Sequence, residues 1–203
     1  MVDGRKMSRS LNNAMSLSQL RMNGYSGRDV RFLLLNGHYR KPVNYSEGSL
    51  QTARNTLKKL NIFISRLSAV DHDGKNSFKE IDQLRYDLKN GFVNALDDDL
   101  NIAGALAALF NFIGKINASL TEGLVNKSDA QKILTDLKNI NNVLGIMDFD
   151  VKISHERINE LIQKRNAARN ARNWGDADSY RAQLADLGVE VLDTPQGVIW
   201  QFK

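Results

Sequence analysis

Leu50-Gln51-Thr52-Ala53-Arg54-Asn55-Thr56-Leu57-Lys58-Lys59-Leu60-Asn61-Ile62-Phe63-Ile64-Ser65-Arg66-Leu67 decides the fold. Leu50, Ala53, Leu57, Leu60, Ile64 and Leu67 recur three and four residues apart, which places them on one stripe of an α-helix, the pattern of a bundle seam. Ser46 stands where an N-cap belongs, and Asp71-His72-Asp73-Gly74 closes the run as a turn. A calcium loop is excluded there, because the glycine comes too early and no glutamate follows at the twelfth position. The same period returns downstream. Ser77-Phe78-Lys79-Glu80 reads as a capping box before Ile81, Leu84, Leu88, Phe92 and Ala95. Ile102, Leu106, Leu109, Ile113, Ile116 and Leu120 mark the next helix. Ser128-Asp129-Ala130-Gln131 reads as another capping box, before Ile133, Leu137, Ile140 and Leu144, with Gly145 as the stop. Four helices of this period on short polar connections predict an antiparallel bundle.

Upstream of the seam, residues 16–22 have the apolar spacing of a short helix closed by Asn23-Gly24, and Val30, Leu33 and Leu34 mark a second, roughly Arg28 to Asn36. His38-Tyr39-Arg40-Lys41-Pro42-Val43-Asn44-Tyr45 must be extended at Lys41, because Pro42 disfavours helix there. It mixes aromatics with cations, a combination suited either to a nucleic-acid backbone or to packing of Tyr39 and Tyr45 on neighbouring helices. Asp97-Asp98-Asp99 invites a metal, but aspartates before a helix are expected to cap its amides and face its positive end.

Composition shifts at Met147-Asp148-Phe149-Asp150, read as the linker. Beyond it, Ser154 to Arg172 is expected to be a helix with Ile158, Leu161 and Ile162 inward and Lys164, Arg165, Arg169 and Arg172 displayed. A helix from Trp174 to Leu187 follows, then two strands flanking Thr194-Pro195-Gln196-Gly197, a hairpin turn. The fold class is therefore mostly α, with an N-terminal loop and linker over 1–25, a helical bundle over 26–149 and a small α+β module over 150–203. Such a small module is marginal alone.

The composition, 42% hydrophobic and 25% charged, is that of an ordinary globular chain. No apolar run is read as long enough to span a membrane, and no signal-peptide pattern opens the chain, so no membrane partner and a cytoplasmic location are expected. The chain has no cysteine, which excludes disulfides and thiolate zinc sites. His38, His72 and His155 are scattered and form no ligand set. Charge is segregated along the chain. Residues 1–69 carry twelve Lys/Arg against three Asp/Glu, residues 70–150 eight against thirteen, and residues 151–203 eight against seven. This asymmetry predicts an anionic partner on the N-terminal third.

Gly4-Arg5-Lys6-Met7-Ser8-Arg9-Ser10 offers two cations three apart between hydroxyls, a loop able to meet a polyphosphate or equally a basic N-terminal arm. Lys6-Met7-Ser8-Arg9-Ser10 resembles the Lys-Met-Ser-Lys-Ser signature of class I aminoacyl-tRNA synthetases. Further stretches, in order, resemble cysteinyl-tRNA synthetase. They are Phe32 to Ser46; Ala95 to Asn101, similar to that family's Met-Asp-Asp-Asp-Phe-Asn; Arg165-Asn166-Ala167-Ala168-Arg169; Trp174 to Arg181; and Asp193-Thr194-Pro195-Gln196-Gly197 with Trp200.

The resemblance implies the tRNA-binding part of a cysteine–tRNA ligase, with no catalytic residue in this chain and a catalytic domain elsewhere. ATP, magnesium and zinc would belong to that domain, leaving no cofactor or metal here. Lys6, Ser8 and Arg9 would meet ATP phosphates only beside a catalytic domain, and Arg9 in place of lysine keeps the charge while changing its shape. Trp174, Asp178, Arg181, Asp193, Gln196 and Trp200 would read a tRNA anticodon. Trp174 offers a stacking face, although core filling is the competing role on residue type alone. Arg28, Arg31, Arg40, Lys41, Arg165 and Arg169 would meet the tRNA backbone. The partner would be tRNA, specifically cysteine tRNA, bound by a monomer unable to aminoacylate alone. The alternatives are a free-standing paralogue acting on protein or RNA and a subunit of a split ligase.

Overall fold

The structure, a computed structural model, describes every residue except 3, 9, 12, 74–79, 151–154, 195–196 and 203; for 155, 156, 193, 194, 197, 199, 201 and 202 it describes the backbone only. Among the described residues it is mostly helical. Helices α1 (Leu17–Met22), α2 (Gly27–Leu35), α3 (Glu47–Ser68), α4 (Ile81–Asp97), α5 (Ile102–Thr121) and α6 (Lys127–Leu144) precede α7 (His155–Asn170), α8 (Trp174–Asp186) and strands β1 (Val189–Thr194) and β2 (Gly197–Phe202). The chain divides into two compact units, Met1–Asp148 and Phe149–Lys203.

The first three helices open on the same device. Ser16, Ser26 and Ser46 each accept the backbone N–H of the N3 residue, while that residue's side chain reaches back to the cap amide. Each capping box satisfies two amides that the helix leaves without partners. Along α3, Leu50, Ala53, Leu57, Leu60, Ile64 and Leu67 are all buried, as their period requires, and Phe63 joins them at 1% exposure. This stripe meets α2, α5 and α6, while α4 packs chiefly on α5. The α4–α5 contact is close because glycines face alanines: a Cβ at Gly91 would lie 3.1 Å from the Ala108 Cβ, and one at Gly104 would lie 3.2 Å from the Ala95 Cβ. Two helices can approach this tightly only where side chains are small.

Helix starts in the second half of the bundle depart from the sequence expectation. The capping box at Ser77 falls largely outside the described residues, and α4 begins at Ile81 after Glu80, which makes no side-chain cap bond. Helix α6 starts not at Ser128 but at Lys127, capped by Asn126, whose side chain accepts Asp129 N–H at 2.9 Å. Lys127 is already held from outside. Its amide donates to the His72 carbonyl at 3.0 Å and its ammonium pairs with Asp71 at 2.7 Å, so the helix begins before Ser128 is reached. The three aspartates do not cap α5 either. Asp97 ends α4, Asp98 is its C-cap, and Asp99 and Leu100 adopt left-handed φ values of 50° and 55°. Reversing between two packed helices in four residues demands that geometry, which Asp tolerates better than Leu. Asn101 caps α5 by accepting Gly104 N–H at 2.9 Å.

One further expectation is corrected. Helix α5 is long and apolar enough to cross a membrane by length and composition. It packs as a bundle helix, burying Ala105, Leu106, Leu109, Phe112, Ile113 and Ile116. The boundary between the two units falls inside the expected linker, between Asp148 and Phe149, and the first half of that linker packs on the first unit. Ile146 and Met147 are buried, and the Asn141 side-chain oxygen accepts both of their amides, at 2.9 and 2.8 Å. Asp148 N–H donates to the Asn61 side chain at 3.1 Å, tying the segment to α3. Gly145 makes this return possible with φ 63°.

In the second unit, β1 and β2 form an antiparallel hairpin in which Val191 faces Trp200 and Thr194 faces Gly197. Ile158, Leu161, Ile162, Leu184 and Val189 make its core. Leu109 is wholly buried at the α5 seam, so Leu109→Ala should lower stability by about 2–5 kcal/mol. The exposed Tyr86→Ala should change it by less than about 0.5 kcal/mol. Urea unfolding followed by circular dichroism measures both.

Candidate nucleic-acid interface

Within the first unit, the basic loop is fixed by one side chain that sequence reasoning passed over. The Asn13 amide oxygen accepts Ser8 N–H at 2.8 Å while its nitrogen donates to the Lys6 carbonyl at 3.0 Å. Ser8 Oγ lies 3.1 Å from Ser10 Oγ and accepts Leu11 N–H at 3.2 Å. Lys6 is exposed, Ser8 is half-buried, and Arg9 lies outside the described residues. The segment before the loop is pinned to residues 43–45. Met1 N donates to Val43 O at 2.6 Å, Tyr45 N to Met1 O at 2.8 Å, and Gly4 N to the Asn44 side chain at 2.8 Å. The loop is thus anchored on both sides with its lysine outward, an arrangement able to present charge to a phosphate.

Several other cations of this unit are already engaged. Arg28 pairs with Asp148. Arg31 donates to the Val143 and Leu144 carbonyls, the unsatisfied end of α6; a cation there also meets the negative end of the helix dipole. Arg54 lies over the Tyr25 ring, 3.9 Å from its centroid, and reaches the Gly24 carbonyl and Asp29. Arg40 pairs with Asp99 at 2.8 Å. Lys41 is exposed and has no ion pair among the described residues.

The two tyrosines of the extended segment take opposite roles. Tyr45 packs against the cluster of Leu20, Tyr25 and Leu50. Tyr39 stays 55% exposed, with its hydroxyl donating to Asp99 Oδ1 at 2.5 Å. That bond to a carboxylate, more than desolvation, raises the Tyr39 pKa above its ordinary 10.0, and Arg40 only partly opposes it. The Asp97–Asp99 carboxylates do not converge: among the described residues no three His, Asp or Glu side chains are placed to hold a metal.

In the second unit, Trp174 opens α8 with 60% of its surface exposed. The cap beneath it is Asn173, which accepts Asp176 N–H at 3.3 Å and donates to the Asp176 carboxylate at 2.7 Å. Asp178 and Arg181 are exposed too. Positions 174, 178 and 181 share one helix face, while Ala177 and Leu184 are buried on another. An indole, a carboxylate and a guanidinium therefore project together, and core filling is not the role of Trp174. Trp200 is different: it is half-buried and packs against the Ile158–Val189 core. Arg169 is exposed. The expectation that Arg165 is displayed is corrected, since it is 3% exposed. It continues the inward stripe of 158, 161 and 162 by helical period, so its aliphatic stem enters the core layer and its guanidinium donates to Asn166 at 3.1 Å. Asp193 is described by backbone only, paired with Val198, and Gln196 lies outside the described residues.

Because the neutral phenol is the favoured form in the fold, the contribution of the Tyr39–Asp99 bond is present below pH 10.0 and lost as pH rises through the raised pKa. Spectrophotometric titration, with Tyr39→Phe subtracted, should find Tyr39 ionising above the ordinary tyrosine range. Asp99→Asn should bring it back down; an unchanged titration would show that the bond does not persist in solution.

Three family profiles match the chain: the tRNA synthetases class I (C) catalytic domain over residues 1–55, the DALR domain over 91–148, and the cysteinyl-tRNA ligase anticodon binding domain over 154–200. The first takes in the basic loop, the Tyr39 turn and the start of α3. Among curated relatives, a cysteine–tRNA ligase of Chlamydia felis is 41% identical over 198 residues, covering 97% of this chain and 42% of its own length. That of Chlamydia muridarum is 39% identical over 206 residues, covering 98% of this chain and 43% of its own. That of Brachyspira hyodysenteriae is 35% identical over 207 residues, covering 100% and 44%. The chain therefore spans less than half the length of these relatives. Its outward Trp174–Asp178–Arg181 face lies within the anticodon-binding match, and its bundle carries the DALR match; the chain belongs to the cysteinyl-tRNA ligase family, of which it represents the C-terminal part.

Proposed function

We propose that this chain binds tRNA, and that the outward face of α8 reads an anticodon base. The observation that carries this is the 60% exposure of Trp174 on one face with Asp178 and Arg181. A tryptophan left in water at a helix start does nothing for the core, whereas its flat face can stack an unpaired base. A carboxylate one turn along accepts from a base amino group, and a guanidinium a turn further meets the phosphate. Trp200, by contrast, supports the hairpin from within. In the first unit, the phosphate contacts fall to Lys41 and Lys6 more than to Arg28 or Arg31, which already hold the bundle together. Cysteine tRNA as the partner, a monomeric state, a cytoplasmic location and a catalytic domain elsewhere belong to this same proposal.

Trp174→Ala should weaken cysteine tRNA binding by about 1–3 kcal/mol while leaving the melting temperature of the second unit nearly unchanged. Asp178→Asn should reduce discrimination among anticodon variants more than total affinity. Titration of labelled cysteine tRNA and its anticodon variants measures both. Wild-type preference in Trp174→Ala would place anticodon recognition elsewhere.

We further propose that these 203 residues by themselves do not activate cysteine, because no group among those described can hold the amino acid in line with an ATP phosphate. Cysteine-dependent pyrophosphate exchange should be at background with the purified chain; exchange above it would reverse the proposal.

A further inference from the structure

The turn at residues 38–41 carries more order than an exposed segment needs. Although Tyr39 is 55% exposed, it is held on several sides. The His38 ring stacks on it with centroids 5.2 Å apart and planes at 15°. Arg40 lies 5.2 Å from its centroid, and Arg40 Nε donates to its hydroxyl at 2.7 Å. Asp99 Oδ1 accepts both that hydroxyl and Arg40 Nη2. The backbone is closed by Lys41 N donating to His38 O at 2.8 Å, and the His38 ring is set by accepting Arg40 N–H on Nδ1 at 3.1 Å. With Nδ1 accepting, a neutral His38 ring carries its proton on Nε2. Such a ring system has already lost the freedom that binding would otherwise remove, which is what a stacking platform requires.

The same rings line a cleft between the end of α2 and the start of α5. Its wall continues with Leu34 and Leu100, which are 55% and 58% exposed. Asn36 and Asn101 supply amides, and Lys41 is the cation that lines it. Flat apolar and aromatic surface, amides for an edge and one ammonium together match one nucleotide. A paired base keeps its faces inside the duplex, so the match is to an unpaired one. The exposed carboxylates of Asp97 and Asp98, beside Asp99 in the chain, also disfavour the approach of a phosphate ladder.

We propose that the His38–Tyr39 stack and its cleft form a second nucleotide pocket, taking a single unpaired base of a bound RNA with Lys41 on its phosphate. This rests on the chain being an RNA binder, and it is separate from the α8 face.

The test uses the full chain and two synthetic RNA hairpins, one fully paired and one with a single-nucleotide bulge carrying 2-aminopurine. The bulged hairpin should bind about tenfold more tightly or better, with quenched fluorescence. His38→Ala and Tyr39→Leu should each remove most of that preference, Tyr39→Trp should retain it, and Lys41→Ala should weaken the bulged RNA without restoring fluorescence at saturation. Thermal melting checks the fold, and His38→Ala and Lys41→Ala carry the test should Tyr39→Leu unfold. Equal binding of the two hairpins, with tRNA still bound through Trp174, would overturn the pocket and leave RNA binding standing. Failure to bind either hairpin or tRNA would overturn both.

Discussion

The apolar stripe of α3 can be buried only if several other helices arrive on it, and the rest of the first unit follows from that demand. Its 22 residues expose a stripe on successive turns, from Leu50 to Leu67, that α2, α5 and α6 cover. Burying such side chains stabilises by roughly 1.5–3 kcal/mol each, enough in sum to dominate local preferences. Those preferences yield accordingly. Leu100 accepts a left-handed conformation so that α5 can return along α4, and α6 starts early because Asp71 and His72 hold Lys127. Ile146 and Met147 turn back into the core instead of leading away from it.

Folding also offsets part of the charge segregation seen along the chain. Arg28 meets Asp148 and Arg40 meets Asp99, so cations of the first third neutralise carboxylates of the second. Arg31 answers the carbonyl end of α6, a partner with no formal charge and therefore no trace in a count of acids and bases. Two of the cations that still face outward are held in place locally. Lys6 sits on a loop clamped by Asn13, and Lys41 stands beside the ordered His38–Tyr39 pair. The basic stretch thus includes two small presenting surfaces, one set by the neutral Asn13 amide and the other by the bonds among Tyr39, Arg40 and Asp99.

The second unit divides its aromatic residues by the same logic. Trp200 stands on a strand whose neighbours face a small core, and it is drawn against it. Trp174 stands at the first position of a helix whose inward positions are 177 and 184, leaving its own position outward. Arg165 runs the other way, a charged residue carried inward because the period of Ile158, Leu161 and Ile162 includes its position. Helical phase, more than residue type, sorts these side chains.

The sequence by itself determined the mostly helical class, the seam residues of α3 to α6, the hairpin and the order of family motifs. Each rests on short-range rules: a period of three and four, a cap, a turn with glycine. The four-residue spacing of Trp174 and Asp178 also puts those two on one face. Only the tertiary structure decided which way that face looks, because periodicity states which residues travel together and not which side is covered. The same holds for Tyr39 and Tyr45, alike in sequence context yet one exposed and one packed. It holds too for Arg28, Arg31 and Arg40, whose partners lie 59 to 120 residues away in the chain. Contacts at that separation are set by how helices dock, and no local pattern records them.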